Sequence, residues 1–120
     1  VSLLVPREHA YAALMHDAHE AFVGDASSPL KLLLPDYKAL ERRIQEAVLA
    51  RYGIELPLHP CIKQADQTAL VTEKRDLMSR GLERLWAEFA NVIPWRRKIL
   101  PLPAPMAKQL FLDRFKELTR

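Results

Sequence analysis

The chain has 120 residues, 49% of them hydrophobic, with a formal net charge of +3. Its length suits one domain with a single core. Its one cysteine, Cys61, excludes an internal disulfide, and no apolar run approaches the roughly 20 residues that span a bilayer.

Only three glycines are present and strand-like alternation is scarce, so an all-α fold is expected, a compact bundle of five to six helices. No signal-peptide pattern is visible, and a cytoplasmic, reducing location with no membrane partner is the simplest expectation. Residues 1–5 read as the second half of an apolar helix. The expected organisation is therefore one helical domain over residues 1–120 whose natural N-terminus lies further upstream.

Pro and Gly punctuate the helical segments. The first whole helix is predicted over residues 7–23, from just after Pro6 to just before Gly24, followed by a turn over residues 25–29. A second begins near Pro35, with Tyr37, Leu40, Ile44, Ala47, Val48 and Arg51 on one face. Glu41, Arg42, Arg43 and Glu46 fall outside that face, and Gly53 fits the C′ position. A Pro-containing link over residues 56–60 leads to a third helix ending near Met78. A fourth uses Leu82, Leu85, Trp86, Phe89 and Ile93 and stops at Pro94. Four prolines over residues 94–105 predict an extended stretch before a last amphipathic helix, from Met106 to about Leu118. Trp86, Phe89, Phe111 and Phe115 read as core. Arg96, Arg97 and Lys98 form the only basic run; three cations beside Trp95 read as a solvated loop rather than a nucleic-acid patch.

The first helix carries an anomaly. On a wheel of about 100° per residue, Tyr11, Leu14, Met15, Ala18, Ala21 and Phe22 cover one half. His16, Asp17 and Glu20 share the other sector, with Ala12, Ala13 and Val23 around them rather than Lys or Arg. His16 and Glu20 stand at i,i+4, one above the other on a continuous helix. A carboxylate among small and apolar neighbours needs a partner, either a cation or an arginine. The third helix repeats the pattern: Asp66 falls within the stripe of Ile62, Ala65, Ala69, Leu70 and Leu77, and Glu73 follows. Imidazole with several carboxylates suits Mn²⁺, Co²⁺, Fe²⁺, Mg²⁺ or Zn²⁺, so the donors alone do not choose the ion.

Other histidines read more plainly. His19 reads as a solvated side chain on an exposed edge. His9 lies about 10.5 Å from His16 along a continuous helix, too far to share an ion. His59, between Leu58 and Pro60, reads as structural; Cys61 could pair with it, but no second cysteine supports a zinc site. No Gly-rich phosphate loop and no Gly-x-Ser-x-Gly elbow is present.

The stretch His16-Asp17-Ala18-His19-Glu20-Ala21-Phe22-Val23-Gly24-Asp25, then Ser27-Ser28-Pro29-Leu30-Lys31, resembles the HD-domain metal-dependent phosphohydrolases. Within them it is most similar to the bacterial 5′-deoxyribonucleotidase-like branch, which carries H-D-x-x-E-x-x-x-G-D and a nearby Ser/Thr-Pro-x-Lys. Lys63-Gln64-Ala65-Asp66 is similar to the stretch that closes the site in that branch. The resemblance covers about residues 1 to 80. It implies one divalent metal ion held by His16, Asp17 and Asp66. Glu20 would orient or deprotonate the attacking water, Asp25 would position the sugar or assist catalysis, and Lys31 would sit near the phosphate. The implied reaction is hydrolysis of (deoxy)nucleoside 5′-monophosphates by a metal-activated water.

The family's first ligand is a histidine on the preceding helix, and no suitable histidine precedes His16 here. The family pattern places it just before Val1, in keeping with the expected upstream extension; without it the chain would bind metal weakly and be inactive as it stands. Two alternatives remain open: an HD hydrolase of another nucleotide or phosphate ester, and a degenerate HD domain that serves as a binding or assembly module. Ala21 after Glu20 argues against the alarmone-hydrolase branch, which has an acidic residue there. The expected partner is a small nucleotide; the last helix could supply a homodimer interface.

Overall fold

The computed structural model describes residues 1–79 and 83–120, the side chains of residues 83–85 excepted. The fold is all-α, as the scarcity of glycine and alternation implied, with no strand among the described residues. The described residues form six α-helices: α1 (Arg7–Met15), α2 (Glu20–Val23), α3 (Ser28–Leu33), α4 (Pro35–Arg51), α5 (Pro60–Leu77) and α6 (Ala104–Thr119). A 3₁₀ turn over Glu83–Phe89 lies between α5 and α6. No helix among the described residues is long and apolar enough to cross a membrane.

The predicted punctuation holds for the longer elements. Pro35 and Pro60 occupy the first positions of α4 and α5, where a missing N–H costs nothing. Gly53 just beyond α4 adopts φ +69°, and its N–H donates to the Ala50 carbonyl at 3.0 Å, closing the helix end. The last helix starts two residues before Met106, with Pro105 inside its first turn.

Four expectations are corrected. The helix predicted over residues 7–23 is broken: α1 ends at Met15 and α2 begins at Glu20. Between them the N–H groups of Ala18 and Glu20 donate to the carbonyls of Met15 and Asp17, both at 2.9 Å. These i→i−3 bonds tighten the winding and re-phase everything after Met15. Phe22, placed on an apolar half by the continuous wheel, is accordingly 74% exposed. The turn predicted over residues 25–29 gives way to α3 at Ser28, with Pro29 in its first turn. The fourth helix is a 3₁₀ turn where it is described; Leu82 and the side chain of Leu85 lie outside the described residues. Of the expected aromatic core, Phe111 is 42% exposed, whereas Phe115 tilts against Tyr11 with ring centroids 5.8 Å apart.

The chain groups into two compact units, one of residues 1–13 and 59–120 and the other of residues 14–58. In the first, Ala10, Ile62, Ala65 and Thr72 are buried. Arg114 of α6 donates to the Ser2 carbonyl at 3.2 Å, anchoring α6 to the chain start. The last turns of α5 hold the extended stretch that follows. The Trp95 N–H donates to Thr72 Oγ1 at 2.8 Å, and the Ile99 N–H donates to Asp76 Oδ2 at 2.7 Å. Arg75 supports the same stretch through the carbonyls of Trp95 and Arg97. In the second unit, α4 packs against α2 and α3 and buries Leu49 completely. The Tyr37 hydroxyl donates to the Gly24 carbonyl at 2.9 Å, tying the start of α4 to the end of α2.

Candidate functional site

Within the second unit, the turn after α1, the start of α2, and the helices α3 and α4 surround an open polar cleft of about 740 Å³. Its lining includes the acids Asp17, Glu20 and Glu41, the imidazole of His19, and the cations Lys31, Lys38, Arg42 and Arg43. Both charge signs thus meet in one solvent-accessible hollow.

The tight turn places His16 and Asp17 side by side. His16 Nε2 lies 2.9 Å from Asp17 Oδ2, with the His16 side chain 16% and that of Asp17 51% exposed. Burial pushes the Asp17 carboxyl up. The contact with His16 and the charges of His16, His19 and Lys31 outweigh it and hold the group below its usual range. Glu20 opens α2. Burial and the neighbouring charges of Asp17, Asp25 and Glu41 raise its carboxyl above the ordinary value, against the opposing charge of Lys31. Asp25 is exposed in the coil after Gly24, whose φ of +77° lets the chain turn out of α2. Lys31, on α3, donates to Glu41 Oε1 at 2.6 Å and stays firmly charged because of that bond.

Sequence reasoning missed two members of this cleft. His19, expected to be solvated, is buried at 5% exposure, and its Nδ1 has no hydrogen-bond partner. The tight turn between α1 and α2 rotates it inward. Glu41, expected on the outer face of α4, has a side chain only 13% exposed, 3.9 Å from His19 Nε2. The inner face of α4 carries Tyr37, Glu41, Ile44, Gln45, Val48 and Leu49, whereas Leu40 is 46% exposed. The completely buried Leu49 sets the phase of that face, and Gln45 and Glu41 stand four and eight residues before it. One ligand atom each from His19, Glu20 and Glu41 lies within 4.8 Å of the others.

The structure therefore groups Asp17, Glu20 and Lys31 around one unit's cleft, with His16 against Asp17 and Asp25 close enough to act on Glu20 through its charge. Asp66 belongs to the other unit, in the second turn of α5.

The cleft of this all-α fold thus brings carboxylates, the His19 imidazole and several cationic side chains together. In sequence, the chain is 39% identical over 121 residues to the Escherichia coli (strain K12) protein described as "Uncharacterized protein YfdR". The match takes in 98% of this chain and 66% of that protein, so the chain spans slightly less than two thirds of its relative's length. No family model matches the chain, and no solved structure matches it.

Proposed function

We propose that the chain is part of a metal-dependent phosphohydrolase of HD-domain type, acting as a phosphomonoesterase on (deoxy)nucleoside 5′-monophosphates. The observation that carries this reading is the cleft, where Asp17, paired with His16, and the raised carboxyl of Glu20 share one lining with Lys31 and Arg42. A phosphate ester needs these two halves together: donors for a cation and a base on one side, and fixed positive charge on the other.

The His16–Asp17 pair fits a divalent cation. Two donors about 2.1 Å from one ion in adjacent octahedral positions stand about 3 Å apart, and His16 Nε2 and Asp17 Oδ2 are separated by 2.9 Å. The family likeness supplies Asp66 as the third ligand. When bound, the cation lowers the pKa of a water and takes up charge on the phosphoryl oxygens. Glu20 takes the proton from the attacking water. Its raised carboxyl is a stronger base than a free glutamate. Lys31 exchanges part of its contact with Glu41 for the phosphate, and Asp25 accepts a hydrogen bond from the sugar. A cytoplasmic setting with soluble nucleotides matches this chemistry.

The test is phosphate release from deoxynucleoside 5′-monophosphates by the gene-encoded protein, with Mn²⁺ or Co²⁺ supplied. Asp17→Ala and Asp66→Ala should each abolish turnover. Glu20→Gln should lower kcat by about 10²- to 10⁴-fold while leaving metal affinity within a few-fold. Full activity in either aspartate variant overturns the reading.

A further inference from the structure

A second group of donors lies in the first unit and takes no part in the phosphohydrolase reading. The imidazoles of His9, from α1, and His59, the N-cap of α5, stack face to face. Their centroids are 4.1 Å apart and their planes differ by 14°. Cys61, one turn position into α5, donates its backbone N–H to His59 Nδ1 at 3.3 Å. One ligand atom from each of the three residues lies within 4.8 Å of the others. His9 and Cys61 are half-buried and His59 is exposed, so the group is open to solvent, and the exposed His59 ring has room to turn out of the stack and aim its in-plane lone pair at an ion shared with His9.

We propose that His9, His59 and Cys61 form a second cation site, taking a borderline-soft divalent ion of the Zn²⁺ kind through two imidazole nitrogens and one thiolate. The donor set decides the class of ion. Mg²⁺ and Ca²⁺ seek oxygen and are poorly served by nitrogen and sulfur. Zn²⁺ takes these donors in tetrahedral sites, and three protein ligands leave its fourth position to water. A lone cysteine would not make such a site; the fold adds two histidines that are far apart in sequence.

Loading has two chemical consequences. The Cys61 thiol must lose its proton to solvent as the sulfur binds, so binding weakens as pH falls. The cap bond is also exchanged. If His59 ligates through Nδ1, that nitrogen can no longer accept the Cys61 N–H. If it ligates through Nε2, the remaining ring proton sits on Nδ1, with the same result. At 3.3 Å the cap bond is long, so little is given up for three coordinate bonds.

The experiment uses the whole chain, stripped with chelator and titrated with Co²⁺. A thiolate-to-cobalt charge-transfer band should grow to saturation and vanish on adding Zn²⁺. Cys61→Ser should remove the band, and His9→Gln and His59→Gln should each weaken affinity at least about tenfold. Asp17→Asn, outside this group, should leave the band unchanged, which separates this site from the proposed catalytic one. In the unaltered chain Zn²⁺ should protect Cys61 from iodoacetamide, a readout that depends on no variant. Absence of both the band and the protection overturns the proposal, as does undiminished affinity in folded forms of both histidine variants.

Discussion

The Lys31 ammonium and the Glu41 carboxylate meet at 2.6 Å across α3 and α4, with side chains 23% and 13% exposed. Both are shielded enough for the pair to outweigh an ordinary surface bridge. Neither helix end nor any sequence neighbour requires the contact; it exists because α3 packs on α4. It also places the only cation of α3 beside the acids of the cleft.

That pair should couple measurably. In a double-mutant cycle of Lys31→Met and Glu41→Gln, the interaction energy should be about 1–2 kcal/mol, between a surface bridge and a buried one. Urea unfolding of the four chains measures it. A coupling within error of zero would show the pair to be ornamental to the fold.

Glu20 should oppose folding at neutral pH. Its carboxyl is raised in the folded chain, so the penalty is fully present above the folded value and gone below the ordinary value of 4.5. Glu20→Gln should therefore raise the melting temperature at pH 7 and lose that advantage as pH falls below about 4. Equal melting temperatures at pH 7 would contradict the raised carboxyl.

Thr72 is fully buried, and its hydroxyl both donates to the Thr68 carbonyl and accepts the Trp95 N–H. Thr72→Val keeps the shape and strands that N–H, at a cost of about 1–3 kcal/mol. Hydrogen exchange should also quicken at the Trp95 amide ahead of the core of α5. Unchanged exchange at Trp95 would mean the hydroxyl does not hold the stretch.

Asp76 should make the same stretch acid-sensitive. Hydrogen bonds from Arg75 and the Ile99 amide hold its carboxyl down to about 2 from 3.8. The stabilisation is complete above the unfolded value and disappears as pH falls through the folded one. The melting-temperature gap between the unaltered chain and Asp76→Asn should be level from neutral pH to about 4, then close towards pH 2. A gap that persists at pH 2 would assign the effect to packing rather than charge.

The sequence by itself determined the helical class and the ends of the longer helices. Pro35, Gly53 and Pro60 act through their own φ angles and missing N–H groups, which need no distant partner. It also showed His16, Asp17 and Glu20 among small and apolar sequence neighbours, because composition around them is local. The tertiary structure alone decided the rest. No Gly or Pro announces the tight turn over residues 16–19, so a continuous wheel carried the wrong phase beyond Met15 and mistook both Phe22 and His19. The inward face of α4 was likewise set by how Leu49 is buried, which brought Glu41 in and turned Leu40 out. His9 and His59 stack across 50 residues of sequence. Such contacts follow from packing between elements, and periodicity within one element carries no record of them.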